Sequence, residues 1–296
     1  MTETTQLAIG RPASLVTDRV PGGATALRGL VARPTLTVAV LWLALVVLAA
    51  LLPGALTHHD PLAADPAVKL TAPDAAHWFG TDQLGRDLYA RVVHGTALTL
   101  QAAILAILIG LVGGSVFGLL AGFVGGVVDT VLMRVADVLL AIPSLLLSLT
   151  IVTVLGFGTV NVAVAVGVAS IATIARIMRS EVVRVRTAQY VEAATANGNR
   201  WWRVLLVHVL PNAAGPVLVL AALEFGTAIL AVSSLSFLGY GAQPPAPEWG
   251  SLVSTGRDYI ATSWWLTTIP GLVIAVTVLA GNRVARALDT ERRAVR

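Results

Sequence analysis

Residues 192–211 read EAATANGNRWWRVLLVHVLP. This stretch is polar at its start, carries Arg200 and Arg203, and lies between two apolar runs of the chain. An apolar helix of about 18 to 20 residues crosses a hydrocarbon core roughly 30 Å thick, and the runs on both sides are long enough to do so. The segment between them must therefore lie in water, where another protein can reach it.

The composition of the 296-residue chain is that of an integral membrane protein. Hydrophobic residues make up 56% of it, charged residues only 12%, and the mean hydropathy is +0.81. These values lie on the apolar side of a soluble domain. The sequence therefore predicts an all-α integral membrane protein with six transmembrane helices. The candidate spans are 35–52, 97–124, 135–155, 160–178, 213–238 and 266–280.

The basic residues predict the orientation, because cytoplasmic loops retain an excess of Lys and Arg. With the N-terminus inside, sixteen of the 20 Lys and Arg fall in cytoplasmic segments, and only Lys69, Arg86, Arg91 and Arg257 fall outside. We therefore expect a multi-pass protein of the plasma (cytoplasmic) membrane with both termini in the cytoplasm.

Several classes of function are disfavoured by composition. The chain has no cysteine, which removes disulfides, thiolate chemistry and cysteine metal sites. Its pI is about 10.1, but the basic residues are spread over four cytoplasmic segments, so we expect no nucleic-acid partner. The first apolar run begins too far from the N-terminus for a removed signal peptide and is interpreted as a signal anchor.

The sequence divides into four parts. Residues 1–33 are predicted to be a disordered cytoplasmic N-terminus, and residues 34–96 to hold the first transmembrane helix and an extracytoplasmic segment. Residues 97–286 form a core of five transmembrane helices that includes a cytoplasmic loop at 179–211, and residues 287–296 form a cytoplasmic tail.

Two spacings predict local structure. Apolar and small residues at three- and four-residue intervals predict a short helix at 84–98 in the outer membrane interface. Glycines at similar intervals in the second span let another helix approach closely, either within this chain or in a second subunit. These glycines are Gly110, Gly113, Gly114, Gly118 and Gly122.

Ionisable residues inside the membrane are functional candidates. Glu224 lies in the middle of the fifth span, where it can form a structural hydrogen bond to a neighbouring helix, line a pore or couple to protons. Arg134 and Asp137 are one helical turn apart, and we expect them to pair with each other.

The loop at 179–211 has helical composition that is interrupted at 197–199, which predicts helix, turn and helix. Ala193, Ala194 and Ala196 leave a bare helical surface for a partner's groove. Gly198 permits the reversal, and Pro211 is expected to begin the fifth span, where its missing N–H costs little.

The same residues match a family pattern. Glu192-Ala193-Ala194, Gly198 and Leu210-Pro211 have the spacing of the EAA loop, and the chain resembles the type I importer permeases of the ATP-binding-cassette (ABC) class. The resemblance implies that fold, with the loop as a coupling helix that docks on an ATPase subunit. His208 replaces an aliphatic residue, as is typical of the second permease (C-type subunit) of dipeptide, oligopeptide and nickel importers.

Two further motifs resemble the same branch. Residues 235–250 read LSFLGYGAQPPAPEWG, and their Pro-rich part is expected to shape the outer mouth. The other motif, of form GTDxxGRD, consists of Gly80, Thr81, Asp82, Gly85, Arg86 and Asp87. In it, Asp82, Arg86 and Asp87 are expected to form a charge-assisted network that orients the second span.

A metal site in the outer segment is an alternative to simple solvation of its polar residues. The candidate ligands are His58, His59, Asp60 and His77. Because they lack tight ligand spacing, we expect no metal in this chain.

The resemblance implies a non-catalytic permease subunit that imports di- and oligopeptides. It would pair with a homologous permease as a heterodimer, bind two ATPase subunits and an extracytoplasmic binding protein, and contact membrane lipid. No GxxxxGK[ST], dinucleotide or HExxH motif is present, so we expect no cofactor on this chain, with ATP and Mg²⁺ on the partner ATPases.

Three alternatives remain open. One is an importer permease for nickel or another small solute. The second is an ion-coupled secondary transporter, for which Glu224 would be the ion site, and the third is a membrane-embedded enzyme, for which no cluster of catalytic residues is evident. The family often has a glutamate where this chain has Val232, so substrate contacts of that glutamate are not transferred to Glu224.

Overall fold

The computed structural model describes the backbone of residues 34–294 and the side chains of residues 34–287. The predicted disordered segment 1–33 lies outside the described residues. Most of the predicted tail, residues 287–294, continues the last helix. The helices are α1 (Pro34–Leu51), α2 (Leu88–Val124), α3 (Gly126–Ala141), α4 (Ser144–Leu155), α5 (Thr159–Arg186), α6 (Gln189–Ala196), α7 (Trp201–Phe237), α8 (Trp249–Gly256) and α9 (Trp265–Ala294).

Five of these helices are long and apolar enough to cross a membrane: α1, α2, α5, α7 and α9. A sixth span is obtained when α3 and α4 are counted as one, although they meet at a bend of 95°. The predicted span at 135–155 is therefore not a straight helix. The bend follows from Pro143, since the residue before a proline is driven out of helical conformation, and Ile142 has φ −94° and ψ 129°.

The predicted interfacial helix at 84–98 is wrong. Residues from Leu88 onward form the first turns of α2, where Leu88, Arg91 and Gly95 are buried. Asp87 begins the helix, because its side chain accepts a hydrogen bond from the Ala90 N–H at 2.7 Å. Arg91, a polar residue of this segment, is held inside by a hydrogen bond from its guanidinium to the Pro61 carbonyl at 3.0 Å.

The glycines of α2 serve packing within this chain. The contact of α2 with α5 is the most extensive between any two described helices, and it is close because the glycines carry no side chain. A methyl group on Gly118 would lie 2.5 Å from the Ala175 carbonyl oxygen, and one on Gly114 would lie 2.6 Å from the Ile174 side chain.

Two ion pairs join α3 to α5. Arg179 holds Asp129 through both carboxylate oxygens, at 2.9 and 2.6 Å. Arg176 Nη2 lies 2.6 Å from Asp137 Oδ1, so the predicted pairing of Asp137 with Arg134 is wrong. Local spacing favoured Arg134, whereas the fold supplies an arginine from another helix.

Candidate functional site

The short helix α6 lies in the loop between the spans α5 and α7. Glu192 and Ala193 are exposed, whereas Val191 and Ala194 are buried in an apolar cluster with residues of α5 and α7 that include Val204. Ala194 therefore packs inward and is not part of the predicted bare surface. The water-facing side of α6 therefore carries the Glu192 carboxylate, small residues such as Ala193, and the half-exposed ring of Tyr190.

A tight turn follows α6. Gly198 has φ +77°, a left-handed conformation that costs residues with a Cβ roughly 1–2 kcal/mol. The backbone N–H and side-chain amide of Asn199 both donate to the Ala194 carbonyl, at 3.4 and 2.8 Å. The predicted reversal at Gly198 is present, and these hydrogen bonds hold α6 against the start of α7.

The start of α7 differs from the prediction, because helical structure begins at Trp201 and not at Pro211. Residues Val204–Val209 form a π-helical segment, in which the Leu210 N–H bonds the Leu205 carbonyl. Pro211 follows directly, in the first turn of the regular helix Leu210–Phe237. A π-helical segment inside an α-helix frequently lies at a functional site, and here it lies between the loop and the apolar part of α7.

A hollow of about 340 Å³ opens beside α6. Its lining includes Glu192, Trp201 and Arg186. The Arg186 guanidinium also donates to the carbonyls of Gly122 and Phe123, at 2.9 and 3.0 Å. This arginine therefore links the loop to the end of α2.

The 80–87 motif is buried around Asp82. Asp82 accepts from the backbone N–H groups of Leu84 and Arg86, at 2.8 and 3.0 Å, and its other oxygen accepts from Arg86 Nε at 2.7 Å. Side-chain exposure is only 6% for Asp82 and 9% for Arg86. A charge pair this enclosed holds one geometry, because breaking it would leave a buried charge without a partner.

Asp87 belongs to a different cluster from the one predicted. It does not pair with Arg86 but caps α2 and accepts a hydrogen bond from His77 Nδ1 at 2.8 Å. The Thr81 hydroxyl donates to the Val68 carbonyl, and the Thr81 carbonyl accepts from the Trp265 indole at 3.3 Å. The motif thus joins the outer segment to both α2 and α9.

Glu248 is a buried acid whose role the sequence analysis did not anticipate. It is fully buried, and its two oxygens accept from the Ser236 hydroxyl at 2.6 Å and the Ala242 N–H at 3.0 Å. Burial raises the pKa of this carboxyl, and the two hydrogen bonds oppose that rise. The sequence offered one sign of this role, because Glu248 directly precedes Trp249 in the 235–250 motif. The Trp249 indole donates a hydrogen bond to the Val92 carbonyl at 3.0 Å.

Glu224 faces a cavity of about 180 Å³ between α2, α4, α5 and α7. The cavity is lined by hydroxyl groups as well as apolar side chains. Among residues 34–287, no group forms a hydrogen bond with the Glu224 carboxylate, so of the three alternatives for this residue the structural bond to a neighbouring helix finds no support. The hydroxyl-bearing residues of the lining are Ser144, Ser148, Ser170, Thr173 and Thr227.

Sequence comparison identifies the family. Residues 114–294 match the family described as "Binding-protein-dependent transport system inner membrane component". The chain belongs to this family. It is therefore a membrane component of a binding-protein-dependent transport system, and the matched range contains both the 179–211 loop and the Glu224 cavity.

Relatives cover most of the chain of this transport component. A "Dipeptide transport system permease protein DppC" of Alkalihalophilus pseudofirmus is 37% identical over 242 residues, covering 82% of this chain and 80% of that one. A "Glutathione transport system permease protein GsiD" of Pectobacterium atrosepticum is 39% identical over 210 residues, 71% and 70% of the two chains.

Solved structures support the fold of this family member. The "Crystal structure of an amino acid ABC transporter with histidines" includes a chain that matches with a TM-score of 0.52 at 18% identity. The match covers 69% of this chain and 94% of the other. The type I importer permease fold expected from the sequence is thereby confirmed.

Proposed function

We propose that this chain is one of two permease subunits of an ATP-driven importer of di- and oligopeptides. The observation that carries the proposal is the continuous path from the exposed helix α6 through the Gly198 turn and the π-helical segment Val204–Val209 into the membrane helix α7. Relatives named for dipeptide and for glutathione, itself a short peptide, support peptides over nickel as cargo.

The proposed assembly contains a homologous permease as heterodimer partner, two ABC ATPase subunits and an extracytoplasmic binding protein. The exposed face of α6, with Glu192 and Ala193, would dock on an ATPase, and Gly198, Leu210 and Pro211 would transmit its movement. This chain would catalyse no reaction and bind no cofactor, since ATP and Mg²⁺ would lie on the ATPases. Exposed apolar residues such as Val38 and Leu41 in α1 would contact membrane lipid.

The 80–87 motif, from Gly80 to Asp87, would stabilise the extracytoplasmic side. There the outer segment and the ends of α2 and α9 meet, so the motif would present a rigid surface to the binding protein. No nucleic acid is part of the proposed assembly, and both termini would lie in the cytoplasm, as the basic residues predict.

Glu224 is proposed to line the transport pathway. Its carboxylate and the surrounding hydroxyls offer hydrogen-bond acceptors in a cavity between the membrane helices, where the low dielectric strengthens interactions between charges. A peptide with a free amino terminus brings an ammonium group that such a carboxylate attracts.

Reconstitution tests the proposed function. Liposomes that contain this chain, the partner permease, the ATPases and the binding protein should accumulate a labelled dipeptide only when ATP is present on the side of the membrane where the ATPases lie. Uptake by this chain alone, driven by a proton or sodium gradient, would instead establish the secondary transporter. ATP-dependent uptake of Ni²⁺ but not of dipeptide would establish the nickel alternative.

A further inference from the structure

Three potential metal ligands converge on the outer side of α2. His59 lies shortly after α1, His77 lies in the loop before the 80–87 motif, and Asp87 caps α2. The Asp87 Oδ2 atom is 3.4 Å from His59 Nδ1 and 2.8 Å from His77 Nδ1. One ligand atom from each residue lies within 4.8 Å of the others.

The backbone holds two of these ligands in place. Asp74 accepts from the His77 N–H at 2.6 Å and donates its own N–H to the His77 carbonyl at 3.0 Å. Asp87 is fixed by its capping bond to Ala90, and the next residue, Leu88, donates to the Gly80 carbonyl at 3.0 Å. Binding here therefore requires little ordering of the chain.

The distances fit a small tetrahedral cation. Metal–ligand distances of about 2.1 Å place neighbouring ligand atoms roughly 3.4 Å apart, which equals the separation of His59 Nδ1 and Asp87 Oδ2. The shorter contact of His77 with Asp87 is a hydrogen bond. A cation would replace its proton, and the two atoms would separate by about 0.6 Å.

The surroundings suit a positive charge with one open coordination position. Asp87 is buried, with a side-chain exposure of 7%, whereas the His59 side chain is 52% exposed. Both line a hollow of about 270 Å³ in which the lining side chains include neither Lys nor Arg. The nearby Arg86 and Arg91 approach Asp82 instead. A water molecule fits in the hollow as the fourth ligand.

We propose that His59, His77 and Asp87 bind one divalent first-row transition cation of the zinc type. Imidazole and carboxylate ligands suit such cations, and imidazole disfavours Mg²⁺ and Ca²⁺. The cation joins the segment after α1 to the first turn of α2. The expectation of no metal rested on spacing along the chain, and the fold brings together residues that this spacing separates.

The test uses the full chain, purified in detergent with an affinity tag that lacks histidine. Titration with Co²⁺ should give the intense visible bands of a tetrahedral site at one ion per chain, and Zn²⁺ should abolish them. His59→Gln should weaken Zn²⁺ binding more than about 100-fold, beyond the 10–100-fold typical of losing a supporting residue. His59 is the preferred position because its side chain is 52% exposed and contacts Asp87 and His77, which are the other two proposed ligands.

His58→Gln is the matched control, since His58 is exposed and lines the same hollow but is not one of the three converging residues. It should leave the affinity unchanged. Asp87→Asn, which keeps an acceptor for Ala90, should also abolish the cobalt bands. The proposal is overturned by an absence of tetrahedral bands in the unmodified protein, by unchanged affinity in His59→Gln, or by equal losses in His58→Gln and His59→Gln.

Zn²⁺ should also raise the thermal unfolding temperature of the unmodified protein, because a ligand that binds only the folded state stabilises it. The rise should be absent in His59→Gln. An equal rise in both proteins would place the stabilising cation elsewhere and contradict the assignment. None of these measurements requires transport, so their outcome does not depend on whether the proposed importer function is correct.

Discussion

Gly198 shows how one backbone angle constrains the loop. It has φ +77°, and no atom lies within 4 Å of a Cβ added there. The backbone conformation, and not a lack of space, therefore restricts which residues can replace Gly198. Proline is excluded by its fixed φ of about −65°, and it would also lose the N–H that Gly198 donates to the Thr195 carbonyl at 3.0 Å.

We predict that Gly198→Pro abolishes transport and co-purification with the ATPase while membrane insertion stays intact. Gly198→Asn is the matched control, because Asn tolerates the left-handed region best among residues with a Cβ. This variant should retain most of the transport activity and most of the co-purification with the ATPase. Affinity purification of the complex and peptide uptake measure the effect. Equal behaviour of the two variants would show that the turn itself does not matter.

Glu192 permits a second test on the same surface. It is exposed in the first turn of α6, so a change there removes no packing. Glu192→Lys should abolish ATPase association and transport, because it places a positive charge where the partner meets a carboxylate. Glu192→Gln should have a smaller effect. Unchanged co-purification of the Lys variant would exclude α6 as the docking helix.

Glu224 can be tested through the charge of the cargo. Glu224→Gln should raise KM about 10-fold for a dipeptide with a free amino terminus, because a charge-assisted hydrogen bond worth about 1.5 kcal/mol is lost. For the N-acetylated dipeptide, KM should hardly change. A uniform rise for both peptides would indicate that Glu224 supports the structure and not the pathway.

At the scale of elements, the contact between α2 and α5 depends on missing methyl groups. Gly118→Ala should lower stability by about 1–3 kcal/mol, as overpacking does, since the added carbon would lie 2.5 Å from a backbone oxygen that has little freedom to move. The measurement is the thermal unfolding temperature in detergent.

Gly271→Ala in α9 is the control, because it adds the same methyl group where nothing lies within 4 Å. Alanine is favoured over glycine in a helix by about 1 kcal/mol, so this variant should be neutral or slightly stabilised. Destabilisation of similar size in both variants would mean that α2 and α5 do not depend on close approach.

The helices that span the membrane could largely be predicted, because apolar length is a local property. The spans at 35–52, 160–178 and 266–280 lie within or nearly within α1, α5 and α9. The bend at Pro143 could not be predicted to this extent, since membrane helices often tolerate a proline as a slight kink. The size of the bend depends on how α3 and α4 pack against α5, and these contacts join segments that are distant in the sequence.

The candidate site was predictable only where neighbours in sequence are neighbours in space. The turn at Gly198 and the pairing of Asp82 with Arg86 follow from local spacing. The partner of Asp137 and the meeting of His59 with Asp87 depend on distant segments. No pattern along the chain records such contacts, so sequence reasoning assigned Asp137 to Arg134.

At the scale of the whole molecule, much apolar surface has no cover within the chain. Val38 of α1 is 66% exposed and Val154 of α4 is 85% exposed. In water such a surface would aggregate, whereas in the membrane it is covered by lipid or, in the proposed assembly, by the partner permease. The orientation of the molecule across the bilayer then decides which partners reach which face.

The orientation can be measured with introduced cysteines, because the chain has none of its own. Ala64→Cys and Thr262→Cys, both at exposed positions, should react with a membrane-impermeant maleimide in intact cells. Ala196→Cys, at the exposed end of α6, should react only after permeabilisation. The reverse pattern would place the loop outside and remove the basis for docking on a cytoplasmic ATPase.

The π-helical segment Val204–Val209 accommodates more residues per turn than the α-helix on its C-terminal side. Each residue of an α-helix advances the chain by roughly 100° around its axis. Rewinding this segment to regular α geometry would therefore swing α6 around the axis of α7 by an angle of that order, with both helices kept whole. A single-residue deletion between Arg203 and Leu210 should convert this segment to regular α-helix and so fix α6 at a different angle around the axis of α7.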